Sequence, residues 1–269
     1  MTNVLFIDVD GTLITTKDGK QYLPPSAVDA MRQVRARGGR IYLCTGRSLA
    51  EARTIGEVPI DGIIGAAGGF VLDGNTMISH KTLGEDAVRE LEELLRSLGA
   101  TYYLECNDGL YFDDACLAYV REAWGIDEDG GWTAIAHTLD GVSREEVNKV
   151  SYRFLGSAKE DPVPMLLAKR FYVVPLTFGE PDVQGGEISN FGINKATAID
   201  ELLAYLDLGE VRTFGFGDSM NDVEMLKRCD EAIVMGDARH DVRGYATFVT
   251  TGVADDGLAR AMRHFGLIA

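Results

Sequence analysis

The chain has 269 residues, enough for one large domain or for a core domain with a smaller inserted one. Its formal net charge is −16, from 26 Lys and Arg against 42 Asp and Glu, which argues against nucleic acid as a partner. No apolar run approaches the roughly 20 residues that cross a bilayer, and no leader peptide is visible, which predicts a cytoplasmic protein without membrane partners.

The first third of the chain alternates short apolar runs with amphipathic stretches. Strands are predicted at residues 4–7, 41–44 and 62–66, and helices at residues 25–37 and 49–55. Proline opens the first of these helices and Gly38-Gly39 closes it. Nearly continuous apolar strands that alternate with helices are typical of a parallel sheet covered on both faces. Residues 68–74 then predict a turn and a small hairpin.

The last third repeats this pattern, and the middle third differs from it. In the last third, helices are predicted at residues 195–205, 222–227 and 257–264 and strands at 211–216, 232–234 and 248–250. In the middle, residues 81–185, helices are predicted at 85–98, 116–124 and 162–168 and strands at 102–106, 111–113, 150–154 and 170–174. The predicted fold class is therefore α/β, a Rossmann-like, doubly wound parallel-sheet core with an inserted α+β domain. The core comprises residues 1–80 and 186–269, and the insertion comprises residues 81–185.

Two aspartates directly follow the first predicted strand, in the sequence Asp8-Val9-Asp10-Gly11-Thr12. Ligands of open parallel sheets bind beyond the carboxyl ends of the strands, and Gly11 allows the chain to turn sharply there. One carboxylate can attack phosphorus while the other donates and accepts protons. A calcium loop is excluded because no further carboxylates follow at EF-hand spacing, which leaves an ordinary turn as the alternative.

Two further segments carry groups that suit a phosphate. Thr45-Gly46-Arg47 follows the second predicted strand, where a hydroxyl and backbone N–H groups can hold phosphate oxygens. Taken alone, this segment is better explained as a strand-to-helix turn. Lys195 opens a predicted helix capped by Asn194, where a positive charge is unfavourable to the helix dipole. An ammonium beside Asp8 would offset negative charge, whereas an isolated lysine would be a solvated surface residue.

The fourth segment, Gly217-Asp218-Ser219-Met220-Asn221-Asp222, follows the predicted strand 211–216. Magnesium prefers octahedral oxygen ligands, keeps several waters and takes one or two protein carboxylates. Asp8, the backbone carbonyl of Asp10 and Asp218 could supply three positions, with Asn221 and Asp222 ordering the metal waters or Lys195 from outside. The alternative is a helix N-terminus rich in Asp and Ser.

The four cysteines are scattered along the chain, at Cys44, Cys106, Cys116 and Cys229. Their spacing fits neither a metal site nor a dense set of disulfides, which predicts reduced, mostly buried thiols. Cys44 follows the apolar residues 41–43 and is predicted to be a strand residue rather than a nucleophile.

Together these segments resemble the haloacid-dehalogenase (HAD) superfamily of phosphatases, and the insertion resembles the α/β cap of its Cof-type (IIB) branch. The resemblance implies a magnesium enzyme with Asp8 as nucleophile and metal ligand and Asp10 as general acid/base. It further implies that Asp218 binds the metal and that Asp222 orders the site around it. Phosphate or substrate binding is assigned to Gly11, Thr45, Gly46, Arg47, Lys195 and Asn221.

One segment departs from the family pattern. Many members carry Asn-Gly-Ala after the third strand, where this chain has Ala67-Gly68-Gly69. The missing amide removes any substrate contact from that side chain, although the chemistry does not depend on it. The glycines do not form a dinucleotide-binding motif, because the Gly-X-Gly-X-X-Gly spacing is absent.

The function predicted is hydrolysis of a small phosphomonoester, such as a sugar phosphate or a phosphorylated cofactor, through an aspartyl-phosphate on Asp8. Within the insertion, Asn107, Tyr111 and Trp132 are candidate substrate contacts, although packing within that domain is the favoured explanation for them. A phosphotransferase or phosphomutase could use the same intermediate. A non-catalytic metabolite-binding regulator on the same scaffold is the alternative from another class.

Overall fold

The computed structural model describes residues 1–17, 20–124, 133–156, 160–176 and 184–269. Trp132, a candidate substrate contact, lies outside the described residues. The chain divides into two compact units. The core unit comprises Met1–Gly46, Glu57–Ser79 and Asn194–Ala269, and the inserted unit comprises Arg47–Gly56 and His80–Ile193.

The secondary structure of the described residues alternates strands and helices through most of the chain. The strands are β1 (Thr2–Ile7), β2 (Thr15–Lys17), β3 (Lys20–Tyr22), β4 (Arg40–Cys44), β5 (Gly62–Gly65), β6 (Phe70–Asp73), β7 (Thr76–His80), β8 (Thr101–Cys106), β9 (Leu110–Phe112), β10 (Ala136–Thr138), β11 (Val147–Arg153), β12 (Tyr172–Pro175), β13 (Gly185–Ser189), β14 (Val211–Gly217), β15 (Glu231–Val234) and β16 (Phe248–Val249). The α-helices are α1 (Pro25–Ala36), α2 (Leu49–Ala52), α3 (Glu85–Ser97), α4 (Asp114–Trp124), α5 (Val163–Leu167), α6 (Lys195–Leu206), α7 (Val223–Arg228) and α8 (Gly257–His264). Short 3-10 turns lie at Arg53–Ile55, Ala66–Gly68, Arg144–Glu146, Met220–Asp222, Arg243–Tyr245 and Val253–Asp255.

The core unit is built on an eight-stranded sheet in the order β16-β15-β14-β1-β4-β5-β6-β7. The pairs from β16 to β5 are parallel, and β6 pairs with β5 in the antiparallel direction. Val4 and Phe6 of β1 pack with residues of α6 and α7. Because side chains alternate along a strand, Leu5 and Ile7 face the opposite layer, where α1 contacts β4 and α8. The predicted doubly wound α/β core is confirmed.

The strand register explains why the predicted site segments meet. Ile7 at the end of β1 lies beside Leu43 of β4 and Phe216 of β14. The residues that follow these three strands therefore leave the sheet at one edge, its carboxyl edge. Asp8, Thr45 and Asp218 are among them.

The inserted unit has its own sheet, in the order β10-β9-β8-β11-β13-β12. One face carries an apolar core in which side chains of α3 and α5 pack against β8, β11 and β13. On the other face, α4 packs against β8 and β9. The predicted α+β character of the insertion is confirmed, because the strands from β9 to β12 pair in the antiparallel direction.

A buried ionic network joins three adjacent strands of the inserted unit, β8, β11 and β13. The Lys149 ammonium on β11 lies 3.2 Å from Glu105 on β8 and 2.9 Å from Glu187 on β13. The Ser151 hydroxyl donates to Glu105 at 2.6 Å. Burial raises the pKa of Glu105 to about 8, although Lys149 acts in the opposite direction. The network therefore ties the sheet together across three strands.

Strand β13 shifts one predicted boundary. The sequence placed the return to the core at residue 186, which falls inside β13, whereas the division lies between Ile193 and Asn194. The strand was missed because it begins with Gly185-Gly186 and buries one large apolar side chain, that of Ile188. A second difference is that residues 47–56, predicted as core, group with the inserted unit. None of the helices in the described ranges is long and apolar enough to cross a bilayer.

Candidate active site

The turn after β1 places Asp8 and Asp10 at the carboxyl edge of the core sheet. The Asp8 amide still donates to Phe216 in the sheet, at 3.0 Å, and the Asp8 side chain is buried while Asp10 is exposed. Gly11 has a φ of +83°, and a Cβ there would lie 2.6 Å from Cγ of Asp218. The Gly11 amide donates to the Ile14 carbonyl at 2.9 Å. Gly11 thus allows the turn and makes room for Asp218, and its contact with phosphate stays a prediction.

Lys195 lies buried at the first position of α6, with 1% of its surface exposed. Its Nζ is 2.6 Å from Oδ1 of Asp8 and 2.6 Å from Oδ1 of Asp222. Asn194 caps the helix by accepting a hydrogen bond from the Thr197 amide at 2.9 Å. The predicted approach of the lysine to Asp8 is present in the structure.

The loop after β14 is organised by the fully buried carboxylate of Asp222. Its Oδ1 accepts from Lys195, and its Oδ2 accepts from the amides of Asp218 and Ser219 at 3.0 and 3.1 Å. A Cβ at Gly217 would lie 2.6 Å from Cβ of Asp222, so glycine is needed for this approach. Asp222 therefore fixes both the lysine and the loop that carries Asp218.

Thr12 is a site residue to which the sequence assigned no role. It is fully buried, and its hydroxyl donates to Oδ1 of Asp218 at 3.2 Å. This bond orients the Asp218 carboxylate from the turn after β1. The available signal was a hydroxyl residue placed among buried apolar neighbours in the first motif, but its partner is 206 residues away in the chain.

Oxygen atoms of Asp8, Asp218 and Asp222 all lie within 4.8 Å of one another. Such a group can hold a divalent cation, which fits the prediction of a metal site with Asp8 and Asp218 as ligands. Both oxygens of Asp222 already accept hydrogen bonds from protein donors, which favours an outer, orienting role for this residue. The side chain of Asp10 is not part of the group.

The charges at this site shift the pKa values of Asp8, Asp218 and Lys195. Burial, and then repulsion from Asp222, hold the pKa of Asp8 well above its usual range, although Lys195 acts in the opposite direction. Burial and Asp222 likewise raise the pKa of Asp218 to about 7. Burial alone would lower the pKa of Lys195, but the carboxylates of Asp222 and Asp8 outweigh it and raise that pKa. Negative charge remains in excess, which favours a bound cation.

The remaining predicted phosphate-binding residues are placed differently. Thr45 is buried, donating its amide to Ile64 and accepting from the Ala67 amide, both at 2.9 Å. Among the described residues, no atom beyond those of Gly46 and its chain neighbours lies within 4 Å of the Cβ position of Gly46. Arg47 belongs to the inserted unit, and its role in substrate binding stays a prediction. Asn221 is exposed and accepts from the Ser219 hydroxyl at 2.7 Å.

Three other residues singled out in the sequence are Tyr111, Asn107 and Cys44. Tyr111 of the inserted unit donates to Asp108 at 3.1 Å and its ring lies 5.2 Å from that of His137, which agrees with packing. Asn107 lies in the same unit with its side-chain oxygen buried. Cys44 is a buried residue of β4, and burial raises the pKa of its thiol. All four cysteines are buried free thiols, as the sequence predicted.

Comparison with known proteins identifies the family. The sequence profile of the haloacid dehalogenase-like hydrolases matches residues 5–262. The chain belongs to this family. The match covers both units of the hydrolase, and the predicted superfamily and the predicted enzyme class of hydrolase are confirmed.

Relatives of this hydrolase include named phosphatases. The 5-amino-6-(5-phospho-D-ribitylamino)uracil phosphatase of Bacillus subtilis is 23% identical over 272 residues, covering 98% of this chain and 96% of the relative. The HMP-PP phosphatase of Yersinia pestis (strain Pestoides F) is 26% identical over 257 residues, covering 88% of this chain and 85% of the relative.

Solved structures confirm the fold of the hydrolase. A HAD-superfamily phosphatase from Bacteroides thetaiotaomicron matches with a TM-score of 0.79 and 27% identity, covering 100% of this chain and 96% of that chain. A sugar phosphatase of HAD subclass IIB matches with a TM-score of 0.76 and 23% identity, covering 99% of this chain and 100% of that chain. The predicted resemblance to the branch with an α/β cap is confirmed.

Proposed function

We propose that this hydrolase is a magnesium-dependent phosphatase that cleaves small phosphomonoesters through an aspartyl-phosphate on Asp8. The observation that carries the proposal is the buried arrangement in which the Lys195 ammonium lies 2.6 Å from both Asp8 and Asp222. Asp218 completes the group, with oxygens of the three aspartates within 4.8 Å of one another. A nucleophile, a cation and a candidate metal site thus meet at one point.

The two aspartates of the first motif divide the chemistry. Asp8 attacks phosphorus in line while Asp10 gives a proton to the ester oxygen, so that the phosphorus–oxygen bond breaks and the alcohol leaves. Asp10 then takes a proton from water, which attacks the phosphorus and releases inorganic phosphate from Asp8. The exposure of Asp10 supports this role, because its carboxylate must reach both the ester and water.

Charge compensation in this proposal comes from Lys195 and from the metal. Lys195 stays protonated between Asp8 and Asp222 and offsets the charge of the phosphoryl group, with Thr45 as a further phosphate contact. Asp8, Asp218 and the backbone carbonyl of Asp10 would hold Mg²⁺, and Asp222 would keep these groups in place. Bound Mg²⁺ would neutralise phosphoryl oxygens as charge develops in the transition state.

The substrates of named relatives support the proposed substrate class. The named relatives act on small phosphorylated compounds, HMP-PP and 5-amino-6-(5-phospho-D-ribitylamino)uracil. We extend this to a small phosphorylated metabolite as the substrate of this hydrolase. In this proposal the core unit carries the chemistry, and the inserted unit, including Arg47, selects the substrate.

The decisive variant is Asp8→Asn, which keeps the shape of the side chain and removes the nucleophile. We expect kcat for p-nitrophenyl phosphate with Mg²⁺ to fall by at least about 10⁴-fold, and acid-quenched enzyme to retain no phosphate. Asp29→Asn is the matched control, because Asp29 is exposed on α1 and pairs with Arg32; its kcat should match that of the wild type.

Three outcomes would contradict the proposal. Near-normal turnover by Asp8→Asn would show that the reaction does not pass through an aspartyl-phosphate on Asp8. Release of phosphate by the wild type only when an acceptor alcohol is added would indicate a phosphotransferase. Phosphate binding by the wild type without any turnover would indicate a non-catalytic binding protein.

A further inference from the structure

The turn that follows β5 has a strained backbone. Ala66, Ala67 and Gly68 have φ angles of +48°, +53° and +107°, so the chain passes through the left-handed region three times in succession. Two of the three residues carry a Cβ, which is unfavourable there. Such strain persists only where surrounding contacts hold it in place, and it is concentrated at functional sites. We call residues Ala66–Gly68 the 66–68 turn.

The 66–68 turn contacts two segments of the candidate active site. The Ala67 amide donates to the Thr45 carbonyl at 2.9 Å, which ties the turn to the segment after β4. Gly68 lies against the backbone of Asn194, and a Cβ at Gly68 would come within 2.7 Å of the Asn194 carbonyl carbon. The turn therefore packs against Asn194, the N-cap residue directly before α6.

Asn194 caps the first turn of α6 and is held there by several hydrogen bonds. Its carbonyl accepts from the Ala198 amide at 3.2 Å and from the Thr197 hydroxyl at 3.0 Å, and its side chain accepts from the Thr197 amide at 2.9 Å. The next residue is Lys195, whose ammonium lies 2.6 Å from Asp8 and from Asp222. A shift of the Asn194 backbone would therefore also move the backbone of Lys195, and with it the ammonium group.

We infer that the 66–68 turn is a positioning element for Lys195, and that Gly68 is required because its missing side chain lets the turn abut the Asn194 carbonyl. The inference rests on the proposed function, in which Lys195 offsets charge at Asp8 and the phosphoryl group. The turn overlaps the segment Ala67-Gly68-Gly69, where this chain departs from the family pattern. The backbone of the turn acts here, through Asn194, without a side-chain contact to substrate.

The alternative is that the turn only reverses the chain between β5 and β6. In that case a substitution would lower stability and the amount of folded enzyme, but the folded molecules would bind phosphate normally. Positioning of the ammonium predicts a different result, since misplacement of a catalytic group by about 1 Å can cost about 10²-fold in rate. The affinity for phosphate separates the two explanations.

The test compares Gly68→Ala with Gly38→Ala. Both glycines have left-handed φ angles, +107° and +82°. At Gly38, however, no atom of the described residues lies within 4 Å of the Cβ position, apart from the glycine and its chain neighbours. Gly38→Ala therefore carries the backbone cost without the contact. We expect Gly68→Ala to lower kcat for p-nitrophenyl phosphate about 10- to 100-fold and to raise the inhibition constant of inorganic phosphate. Gly38→Ala should leave both within about 2-fold, a change of less than about 0.5 kcal/mol.

A second pair of variants decides the question if Gly68→Ala does not fold. Asn194→Ala removes the side-chain cap of α6, whereas Asn194→Ser keeps an oxygen acceptor for the Thr197 amide. We expect the alanine variant to weaken phosphate inhibition and lower kcat about 10-fold, about 1.4 kcal/mol, and the serine variant to restore both. Wild-type values of kcat and of the phosphate inhibition constant in folded Gly68→Ala and in Asn194→Ala would overturn the inference.

Failure of the proposed function gives a different pattern. If calorimetry shows that the wild type binds inorganic phosphate in the presence of Mg²⁺, but the enzyme hydrolyses no ester, the proposed phosphatase activity is refuted. Weaker phosphate binding by Gly68→Ala than by Gly38→Ala would then still support the positioning role. Full hydrolysis by the wild type with equal behaviour of the two glycine variants would refute only the positioning role.

Discussion

Three carboxylates lie close to one ammonium at the candidate active site, an arrangement that suits metal binding but lowers the stability of the metal-free protein. The partners of Lys195 are Asp8 and Asp222, and Asp218 adds a third negative charge within 4.8 Å. Buried carboxylates that lie close together raise one another's pKa and destabilise the folded state unless a cation joins them. The residues that suit metal binding therefore make the metal-free protein less stable than it could be.

Asp218→Asn tests this conflict, because it removes one charge and keeps the shape of the side chain. We expect the variant without metal to be more stable than the wild type at pH 8, by about 1 to 2 kcal/mol. Saturating Mg²⁺ should raise the thermal midpoint of the wild type by a few degrees and that of the variant hardly at all. Thermal unfolding in EDTA and in Mg²⁺ measures both effects. An equal response to Mg²⁺ in the two proteins would show that Asp218 does not hold the metal.

The pH dependence of the same comparison has a definite sign. The folded-state pKa of Asp218 is raised from 3.8 to about 7. A carboxyl whose pKa is raised on folding favours the folded state at low pH, and that contribution is lost as pH rises from about 4 to 7. The advantage of Asp218→Asn in EDTA should therefore be small near pH 4 and grow until about pH 7. An advantage independent of pH would contradict the raised pKa.

At the scale of elements, the parallel sheet made much of the site predictable. Three of the four site segments follow apolar strands, and parallel strands end at one edge, so Asp8, Thr45 and Asp218 could be placed together from the sequence alone. The hydrogen bond from Thr12 to Asp218 was out of reach, because no local pattern joins residues so far apart in the chain. The contact between Gly68 and Asn194 was hidden for the same reason.

The strands that the sequence did not predict all lack a continuous run of apolar residues. Strands β2, β3 and β10 have three residues each and are largely exposed, so they lack the apolar runs that mark a strand. Strand β13 is central, but Gly186 and Glu187 occupy positions where apolar residues are usual. A Cβ at Gly186 would lie 2.7 Å from the Val174 carbonyl oxygen, so the close approach of β12 selects glycine there.

The network of Lys149 in the inserted unit gives a prediction at this scale. Lys149→Met leaves Glu105 buried without its ammonium partner, and we expect unfolding to become easier by about 3 to 5 kcal/mol. The double variant Lys149→Met/Glu105→Gln should recover part of this loss, because no charge is then left at position 105. Arg89→Met is the control, since Arg89 and Glu85 form an exposed pair worth about 0.5 kcal/mol or less. Denaturant unfolding monitored by circular dichroism measures all three.

The result would be contradicted by a Lys149→Met variant as stable as Arg89→Met. That outcome would mean that Glu105 is held neutral by its surroundings and gains nothing from the ammonium. The raised pKa of Glu105, about 8, makes the comparison informative at two pH values. At pH 6, where Glu105 can take up a proton, the loss in Lys149→Met should be smaller than at pH 9.

At the scale of the whole molecule, each unit has its own sheet and its own apolar core. The core unit buries Val4, Phe6 and Tyr42 with helix residues, and the inserted unit buries Tyr102 and Val150 against α3 and α5. Units with separate cores can fold separately. Most of the inserted unit is one continuous segment, His80–Ile193, to which the short segment Arg47–Gly56 is added.

The boundary of the insertion decides which fragment folds alone. Residues 80–193 include β13, which pairs with β11 on one side and β12 on the other, whereas residues 81–185 include only its first residue, Gly185. Without β13, the sheet loses two ladders of backbone hydrogen bonds, the buried side chain of Ile188 and the Glu187 partner of Lys149. We expect fragment 80–193 to unfold cooperatively in urea and fragment 81–185 to show no cooperative transition. Cooperative unfolding of both fragments would show that β13 is dispensable and that the insertion ends before it.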